Sequence, residues 1–396
     1  MTGYIEVFGH GGDVETAASR FGREATEFLD FSANINPLGP PREVLESIQQ
    51  GLQSVIRYPD PGHRRFKEML SMRLDVMAEQ ISVGNGAAES MALILLGLAP
   101  RKVGTVEPGF SEYRALARQF GAEVVHTEGR EELAWRAEPE DIEQLMDKVD
   151  LLFLGQPNNP NGVQYPLEVL QRLARKAEET GTVLVIDEAF MDFIPVARRQ
   201  SLAAHMNDYP NVIIIRSMTK FYAIPGLRLG YALGRAEYIQ AMTKKQVTWS
   251  VNGLALMAGE ACLRSGEPYE QETISQITRE RGRLIEGLQA YGCAVTPGEA
   301  NFILVRVPSP WTAASMQETL GRRGILIRSC AMYPGLDEGH VRFAVKDADA
   351  NATLLEVLGS VLETKGYPNV DQSSIHESSQ QEKAKDSEQE QGGERQ

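Results

Sequence analysis

Short apolar runs recur through the middle of the chain, and polar or turn-forming residues follow each of them. The runs span residues 103–106, 151–154, 183–186 and 212–215. They are rich in β-branched residues and do not alternate with polar ones, which is typical of strands buried on both faces of a mostly parallel sheet. Amphipathic segments such as 167–179 lie between the runs. The pattern predicts strand–helix–strand units and therefore an α/β fold.

The loops after these runs are the first candidates for a ligand site. Phe110, Asn159, Asp187 and Lys220 follow the four runs in turn. Ligands of open α/β sheets bind outside the carboxyl ends of the strands. We therefore expect these four loops to converge at one edge of one sheet.

A second, smaller α/β unit is predicted from the two ends of the chain. Apolar runs at 302–305, 324–327 and 341–345 indicate further strands. Residues 271–286 carry mixed charges at helical spacing and predict a solvated connecting helix. The predicted divisions are an N-terminal segment that joins the small domain (1–45), a large domain that carries the candidate ligand loops (46–290), a small C-terminal domain (291–364) and a polar tail (365–396). The tail has almost no apolar residues, so we expect it to be disordered.

Composition and charge limit the classes of partner. The 396 residues carry a formal net charge of −14, which argues against nucleic acid or an anionic membrane surface as the main partner. Cys262, Cys293 and Cys330 form neither a metal-binding motif nor a disulfide framework, so no metal is expected and a reducing compartment is favoured. No apolar stretch is long enough to span a bilayer, and the N-terminus lacks the features of a signal peptide. These observations predict a cytoplasmic protein.

The segment 217–231 carries the strongest chemical signal. Lys220 follows a buried strand and a Ser-x-Thr, and it lies eight residues before Arg228, which has a glycine two positions to either side. This arrangement is expected of a lysine that holds pyridoxal phosphate covalently, because a neighbouring cation or partial burial lowers the pKa of its amine. The hydroxyls of Ser217 and Thr219, together with Arg228, supply donors and charge for a phosphate. The alternative is a surface lysine after a buried strand.

Asp187 and Asn159 each have a functional and a structural interpretation. Asp187 could pair with the protonated pyridine nitrogen of the cofactor, or it could cap a helix. Because Lys220 ends the next strand, we favour the pyridine role for Asp187. Asn159 could donate to the phenolic oxygen of the cofactor, but taken alone it is better explained by the turn before Pro160.

Three further positions could complete a cofactor site. Gly86 and Ala87 open an apolar helix, and small residues there present free backbone N–H groups to a phosphate. Phe110 could stack on the pyridine ring, although a lone phenylalanine more often belongs to the core.

Arg328 and Arg342 are candidates for anion binding in the smaller unit. Arginine in an apolar strand is costly unless an anion meets it, and its parallel donors suit a carboxylate or a phosphate monoester. An internal salt bridge is the alternative. His10, Gly11 and Asn34 lie in loops punctuated by glycine or proline, where a ligand can approach closely.

Six segments together give the chain a family resemblance. They are HGG (10–12), DFSANINPLG (30–39), RYPD (57–60), TKFYAIPGLRLGY (219–231), WSVN (249–252) and ILIRSCAMYPGL (325–336). From His10 to about residue 362, the chain resembles the fold-type I pyridoxal phosphate enzymes that include histidinol-phosphate aminotransferase. Within that family it most resembles the branch that decarboxylates L-threonine O-3-phosphate. Asn161 and Ala88 stand where the family commonly has threonine, and we expect them to tune cofactor affinity.

The resemblance implies a fold-type I architecture, pyridoxal 5′-phosphate as the cofactor, and a homodimer. Lys220 would carry the cofactor, while Asp187 would contact its pyridine nitrogen and Asn159 its phenolic oxygen. Tyr58 would reach the cofactor of the neighbouring subunit. The residues that would hold the cofactor phosphate are Gly86, Ala87, Ser217 and Arg228.

On the substrate side, the resemblance implies contacts with a small phosphorylated amino acid. The residues concerned are His10, Gly11, Asn34, Asn159, Arg328 and Arg342. The implied reaction converts L-threonine O-3-phosphate to (R)-1-amino-2-propanol O-2-phosphate, which supplies the aminopropanol linker of cobalamin. Histidinol-phosphate aminotransfer on the same scaffold is the alternative. A cofactor-binding regulatory module without catalysis is disfavoured, because Lys220 and Asp187 are both present.

Overall fold

Strands and helices alternate along residues 10–363, the part of the chain that the structure, a computed structural model, describes. The strands are β1 Leu29–Asp30, β2 Ile81–Gly84, β3 Lys102–Glu107, β4 Glu123–Glu128, β5 Leu151–Gly155, β6 Val183–Asp187, β7 Val212–Ser217, β8 Gly230–Leu233, β9 Ala294–Val295, β10 Phe302–Arg306, β11 Ile325–Leu326, β12 Arg328–Ser329 and β13 His340–Ala344. The α-helices are α1 Val14–Phe21, α2 Arg42–Gly51, α3 Arg64–Leu74, α4 Ala87–Leu98, α5 Glu112–Gln119, α6 Pro139–Met146, α7 Leu167–Thr180, α8 Met218–Phe221, α9 Ala236–Thr243, α10 Gly253–Ala290, α11 Ala313–Arg322 and α12 Ala348–Glu363. The predicted polar tail and the first nine residues of the predicted N-terminal segment lie outside the described residues.

The large sheet has seven strands in the order β2-β8-β7-β6-β5-β3-β4. Strand β8 runs antiparallel to both of its neighbours, and the other pairings are parallel. The four predicted apolar runs lie within β3, β5, β6 and β7, so the prediction of a mostly parallel α/β sheet is confirmed.

Both faces of this sheet are covered, which explains why the runs do not alternate. On β5, Leu152 and Leu154 belong to one hydrophobic cluster, whereas Leu151 and Phe153 belong to the cluster on the other face. Complete burial of a large apolar side chain contributes about 1.5–3 kcal/mol relative to exposure, so a polar residue at any of these positions would be costly.

A second sheet forms from the C-terminal part of the chain. Its order is β12-β13-β10-β9, and its strands are antiparallel. Strand β1 pairs in parallel with β11, which attaches the N-terminal segment to this part of the molecule. The strand expected at 324–327 forms as β11 over Ile325–Leu326, and a separate strand, β12, begins after Ile327 and belongs to the other sheet. The division of the chain into these four predicted parts stays a prediction.

The helix expected at 271–286 forms the second half of α10. That helix bends at Gly266, whose φ is 65°, and Pro268 follows in the next turn. The expectation of a solvated helix is wrong for one face, since Ile277 and Leu284 are fully buried in the core. Arg281 is also buried, and its Nη1 donates to the carbonyl of Ala300 at 3.1 Å. Among the helices of residues 10–363, none has the length and apolar character that crossing a membrane requires.

Candidate active site

A cavity of about 360 Å³ opens at the carboxyl ends of β3, β5, β6 and β7. One wall comes from the large sheet and the opposite wall from the four-stranded sheet. The structure brings together twelve of the residues predicted for the site, namely His10, Gly11, Asn34, Ala87, Phe110, Asn159, Asp187, Ser217, Lys220, Arg228, Arg328 and Arg342. The expected convergence of four loops at one sheet edge is thus seen in the structure.

Lys220 lies on the short helix α8, which begins directly after β7. Ser217 is the N-cap of this helix, and its hydroxyl lies 2.8 Å from that of Thr219. Burial lowers the pKa of the Lys220 amine to about 8, and the guanidinium groups of Arg228 and Arg342 act in the same direction. A lysine with a lowered pKa is closer to its neutral, nucleophilic form at physiological pH.

Asp187 ends β6 and is buried at the floor of the cavity. Its Oδ2 accepts a hydrogen bond from the hydroxyl of Tyr113 at 2.7 Å, and its Oδ1 accepts from the backbone N–H of Ala189 at 3.0 Å. Burial raises the pKa of the carboxyl, whereas these two donors and Lys220 oppose that rise. The helix-cap alternative does not apply, because the next helical turn has Phe190 as its N-cap.

The start of α4 and Arg228 lie close together and form a cradle in which a phosphate could bind. Gly86 precedes the helix with a φ of 84°, and a Cβ at this position would lie 2.5 Å from Arg228 Nη2. A Cβ at Gly230 would lie 2.7 Å from the backbone nitrogen of Ala87. Glycine at both positions therefore lets the guanidinium and the helix N-terminus approach each other, and both attract an anion.

These three features fit pyridoxal phosphate. The cradle offers donors and positive charge to its phosphate, the Asp187 carboxylate can meet its pyridine nitrogen, and the Lys220 amine can bond to its aldehyde carbon. Phe110 lines the same cavity. Within residues 10–363, no group of three or more His, Cys, Asp or Glu side chains has the geometry to hold a metal ion.

Two arginines form the opposite wall. Arg328 and Arg342 are cross-strand partners in the β12–β13 pairing, and both are buried. Nη1 of Arg342 donates to Oδ1 of Asn159 at 2.5 Å, and its Nη2 donates to the carbonyl of Ser32 at 2.9 Å. The same guanidinium lies 5.2 Å from the ring centroid of Phe302. Arg342 therefore joins the two walls of the cavity, and the side-chain nitrogen of Asn159 is the atom that can donate to a ligand.

The N-terminal loops close one side of the cavity. Nε2 of His10 lies 2.9 Å from Oε1 of Glu112, which ties the first described residue to α5. Gly11 packs on the backbone of Ser32 so tightly that a Cβ would overlap the Ser32 carbonyl. The side-chain oxygen of Asn34 is buried and has no hydrogen-bond partner among the described residues, which fits a donor from a bound ligand.

Two predicted site residues do not line the cavity. Gly86 directly precedes α4 but is not part of the cavity lining, and its contact with the cofactor phosphate stays a prediction. The Tyr58 side chain is on the surface, 79% exposed, and stacks on Trp249 with ring centroids 4.3 Å apart. Its contact with a neighbouring subunit stays a prediction.

Several cavity residues escaped the prediction from sequence. They include Ser32, Glu112, Tyr113, Phe190 and Tyr333. Ser32 lies inside the DFSANINPLG segment and Tyr333 inside the ILIRSCAMYPGL segment, so these two segments were a usable signal. Tyr113 offered none, because a tyrosine on an amphipathic helix is usually part of the core.

The two departures from the family pattern occupy different places. Ala88 lines the cavity. Asn161 is buried outside it, and its side-chain nitrogen donates to the carbonyls of Ala134 and Trp135 at 3.0 and 3.1 Å. Threonine has one hydroxyl hydrogen and could not make both bonds. Asn161 therefore holds a neighbouring loop, and the expected effect on cofactor affinity stays a prediction.

Comparison with known proteins agrees with this geometry. The model of the family "Aminotransferase class I and II" matches residues 26–358. Threonine-phosphate decarboxylase of Salmonella typhimurium is 39% identical over 355 residues, which are 89% of this chain and 96% of that protein. The crystal structure of histidinol-phosphate aminotransferase from Clostridium acetobutylicum has a TM-score of 0.79 at 34% identity, covering 84% of this chain and 98% of that one. The crystal structure of L-threonine-O-3-phosphate decarboxylase from Porphyromonas gingivalis has a TM-score of 0.74 at 25% identity, covering 84% of this chain and 99% of that one. The chain belongs to the pyridoxal phosphate-dependent aminotransferase class I and II family and has its fold-type I architecture.

Proposed function

We propose that this protein decarboxylates L-threonine O-3-phosphate to (R)-1-amino-2-propanol O-2-phosphate, the aminopropanol linker of cobalamin. The observation that carries the proposal is the cavity in which the Lys220 amine faces two buried arginines. A substrate with both a carboxylate and a phosphate places two anionic groups in such a cavity. The 39% identity to threonine-phosphate decarboxylase of Salmonella typhimurium supports the same assignment.

The cofactor would be held by the large sheet and its loops. Lys220 would bind it covalently, Asp187 would face its pyridine nitrogen, Asn159 its phenolic oxygen and Phe110 its ring. The proposed phosphate ligands are Gly86, Ala87, Ser217 and Arg228. Bound pyridoxal phosphate supplies an electron sink for the pair released when a bond to Cα breaks.

The remaining residues would select the bond and manage the proton. Arg328 and Arg342 would bind the substrate phosphate, with His10, Gly11 and Asn34 assisting from the N-terminal loops. With the substrate phosphate bound to these arginines, the α-carboxylate would be the group that leaves Cα as CO2. Lys220, as its ammonium, would then return a proton to Cα.

The test incubates the protein, loaded with pyridoxal phosphate, with carboxyl-labelled L-threonine O-3-phosphate. We expect labelled CO2 to be released at the same rate with and without 2-oxoglutarate, and we expect Lys220→Ala to release none. Glutamate formation that requires 2-oxoglutarate, without release of CO2, would refute the proposal.

Histidinol-phosphate aminotransfer is the second candidate function. It is favoured by the 34% identity and 0.79 TM-score to the Clostridium acetobutylicum aminotransferase. The same assay with histidinol phosphate distinguishes the two functions, because an aminotransferase would form glutamate from 2-oxoglutarate at a rate that depends on both substrates.

We also propose a homodimer in which Tyr58 contacts the partner's cofactor. Large apolar side chains are exposed around it in sequence and in space, including Val55, Ile56, Val247 and Trp249. Mixing Tyr58→Ala and Lys220→Ala chains tests this arrangement. If the active site is shared, each mixed dimer has one intact site and activity should recover to about a quarter of the unmutated level; a monomer in sedimentation analysis, or no recovery, would count against it.

A cytoplasmic location is part of the proposal. It is supported by Cys262, Cys293 and Cys330, which are all buried free thiols. Such thiols persist most readily in a reducing compartment. Fractionation of the native host's cells, with immunodetection, tests the location.

A further inference from the structure

Within residues 10–363, the side chain that donates a hydrogen bond to the carboxylate of Asp187 is that of Tyr113. It is the second residue of α5 and only 3% exposed. Its ring stacks on Phe153 of β5, with centroids 5.0 Å apart and planes 4° from parallel, and it meets Phe110 edge to face at 5.6 Å. These contacts fix the direction of the hydroxyl, which donates to Oδ2 of Asp187 at 2.7 Å.

The carboxylate is thereby held from two sides. Tyr113 engages Oδ2, and the backbone N–H of Ala189 engages Oδ1. An ionised carboxylate has about four acceptor positions, so acceptor capacity remains for a group in the cavity. The two bonds fix the plane of the carboxylate and so fix where that remaining capacity points.

The surrounding charges determine what the hydroxyl does. Asp187 faces Lys220 besides its two donors, and the Tyr113 hydroxyl faces Glu107 and Tyr333 besides Asp187. Burial and these neighbours raise the pKa of Tyr113 well above its ordinary value, so the hydroxyl stays protonated and remains a donor. A donor to a carboxylate stabilises the ionised form and lowers its affinity for a proton.

We propose that Tyr113 is a positioning residue that keeps Asp187 oriented and ionised, so that the proton shared between this carboxylate and the cofactor stays on the pyridine nitrogen. The inference rests on the cofactor placement in the proposed function but not on the identity of the substrate. Without the hydroxyl, the proton would move toward Asp187 and the bound ring would withdraw electrons less strongly.

Tyr113→Phe tests the proposal with the cofactor alone, because phenylalanine keeps both ring contacts and removes only the hydroxyl. We expect the dissociation constant of pyridoxal phosphate to rise by roughly tenfold or more, the range for a lost hydrogen bond to a buried charged group. We also expect the pH midpoint of the bound cofactor's visible absorbance to move to higher pH. A ring that carries less positive charge makes the Lys220 nitrogen, which is bonded to the cofactor, more basic. Tyr238→Phe is the matched control: this tyrosine packs in the same hydrophobic cluster and its hydroxyl contacts Asn211 at 3.3 Å.

A second background separates positioning from packing. In Asp187→Asn there is no carboxylate to ionise. Adding Tyr113→Phe to this variant should therefore change neither the affinity for pyridoxal phosphate nor the pH midpoint of the absorbance any further. The proposal would be overturned if Tyr113→Phe alone changed neither the affinity for pyridoxal phosphate nor the pH midpoint. It would also be overturned if Tyr113→Phe lowered the affinity equally in the Asp187→Asn background. If Tyr113→Phe fails to fold, 3-fluorotyrosine at position 113 replaces it as the test: the stronger donor should lower the midpoint, and an unmoved midpoint would refute the idea.

Because no substrate is present in these titrations, their result is independent of the decarboxylation assay. A failed decarboxylase assignment leaves the expected effect of Tyr113→Phe unchanged. Conversely, if Tyr113→Phe changes neither the affinity for pyridoxal phosphate nor the pH midpoint, the assignment of the reaction still stands.

Discussion

Replacing Lys220 by methionine should stabilise the protein without its cofactor at neutral pH. The amine sits in a cavity with Arg228 and Arg342, and burial together with these cations lowers its pKa from 10.5 to about 8. At about 1.4 kcal/mol per pKa unit, holding this amine protonated in the native state costs about 3 kcal/mol relative to the unfolded chain. Methionine is of similar length and carries no charge, so it removes this cost.

The pH dependence follows from the direction of that pKa change. Below pH 8 the amine is protonated in both the folded and the unfolded state, and the full cost is present. Between about pH 8 and 10.5 the folded protein loses the proton while the unfolded chain keeps it, so the stability of the unmutated protein rises. Above that window the cost has disappeared. The stability advantage of Lys220→Met should therefore shrink by about 3 kcal/mol across this range.

Urea unfolding of cofactor-free protein at a series of pH values from 7 to 10.5 measures this difference. Taking the difference at each pH cancels the titration of all other groups. Lys245→Met, at an exposed position, controls for the loss of a lysine as such. A difference between Lys220→Met and the unmutated protein that does not change with pH would refute the reasoning.

Three further changes test other parts of the site. Arg342→Ala should raise the KM for threonine phosphate roughly tenfold or more while the bound cofactor's absorbance is retained, because a charge-assisted anion contact is lost; an unchanged KM would exclude Arg342 from phosphate binding. Arg216→Met should lower the free energy of unfolding by about 3–5 kcal/mol in urea melts, since it removes the cation that lies 2.6 Å from the buried carboxylate of Glu188 and leaves that charge with the neutral hydroxyl of Ser201. Gly86→Ala should weaken cofactor binding in an absorbance titration, because the new Cβ would lie 2.5 Å from Arg228 Nη2 at a backbone φ of 84°; binding as tight as in the unmutated protein would show that the cradle is not the phosphate site.

The large sheet could be predicted because burial on both faces leaves a direct trace in sequence. Runs of adjacent apolar residues, such as 151–154 and 183–186, have no other simple explanation in a chain of alternating strands and helices. The same regularity placed Asp187 and Lys220 at one sheet edge, since parallel strands end together. The two arginines of the second wall, Arg328 and Arg342, could also be predicted from the sequence, because an arginine in an apolar strand is costly unless an anion meets it.

The remaining details depend on tertiary contacts that local pattern does not record. Residues 271–286 look solvated because their charges recur at helical spacing, yet Arg281 is buried and donates to backbone carbonyls 18 and 19 residues later in the chain. Tyr113 looks like an ordinary core residue, and only its tertiary contacts, with Phe153 of β5 and Asp187 of β6, show that its hydroxyl meets the carboxylate. In both cases the decisive partner is remote in sequence.

Release of CO2 from carboxyl-labelled L-threonine O-3-phosphate, in the presence of pyridoxal phosphate and the absence of any keto acid, is the most direct test of the proposed reaction. The proposed function predicts stoichiometric formation of CO2 and (R)-1-amino-2-propanol O-2-phosphate, both abolished in Lys220→Ala. Retention of the label in the amino acid, with amino transfer once 2-oxoglutarate is added, would contradict it.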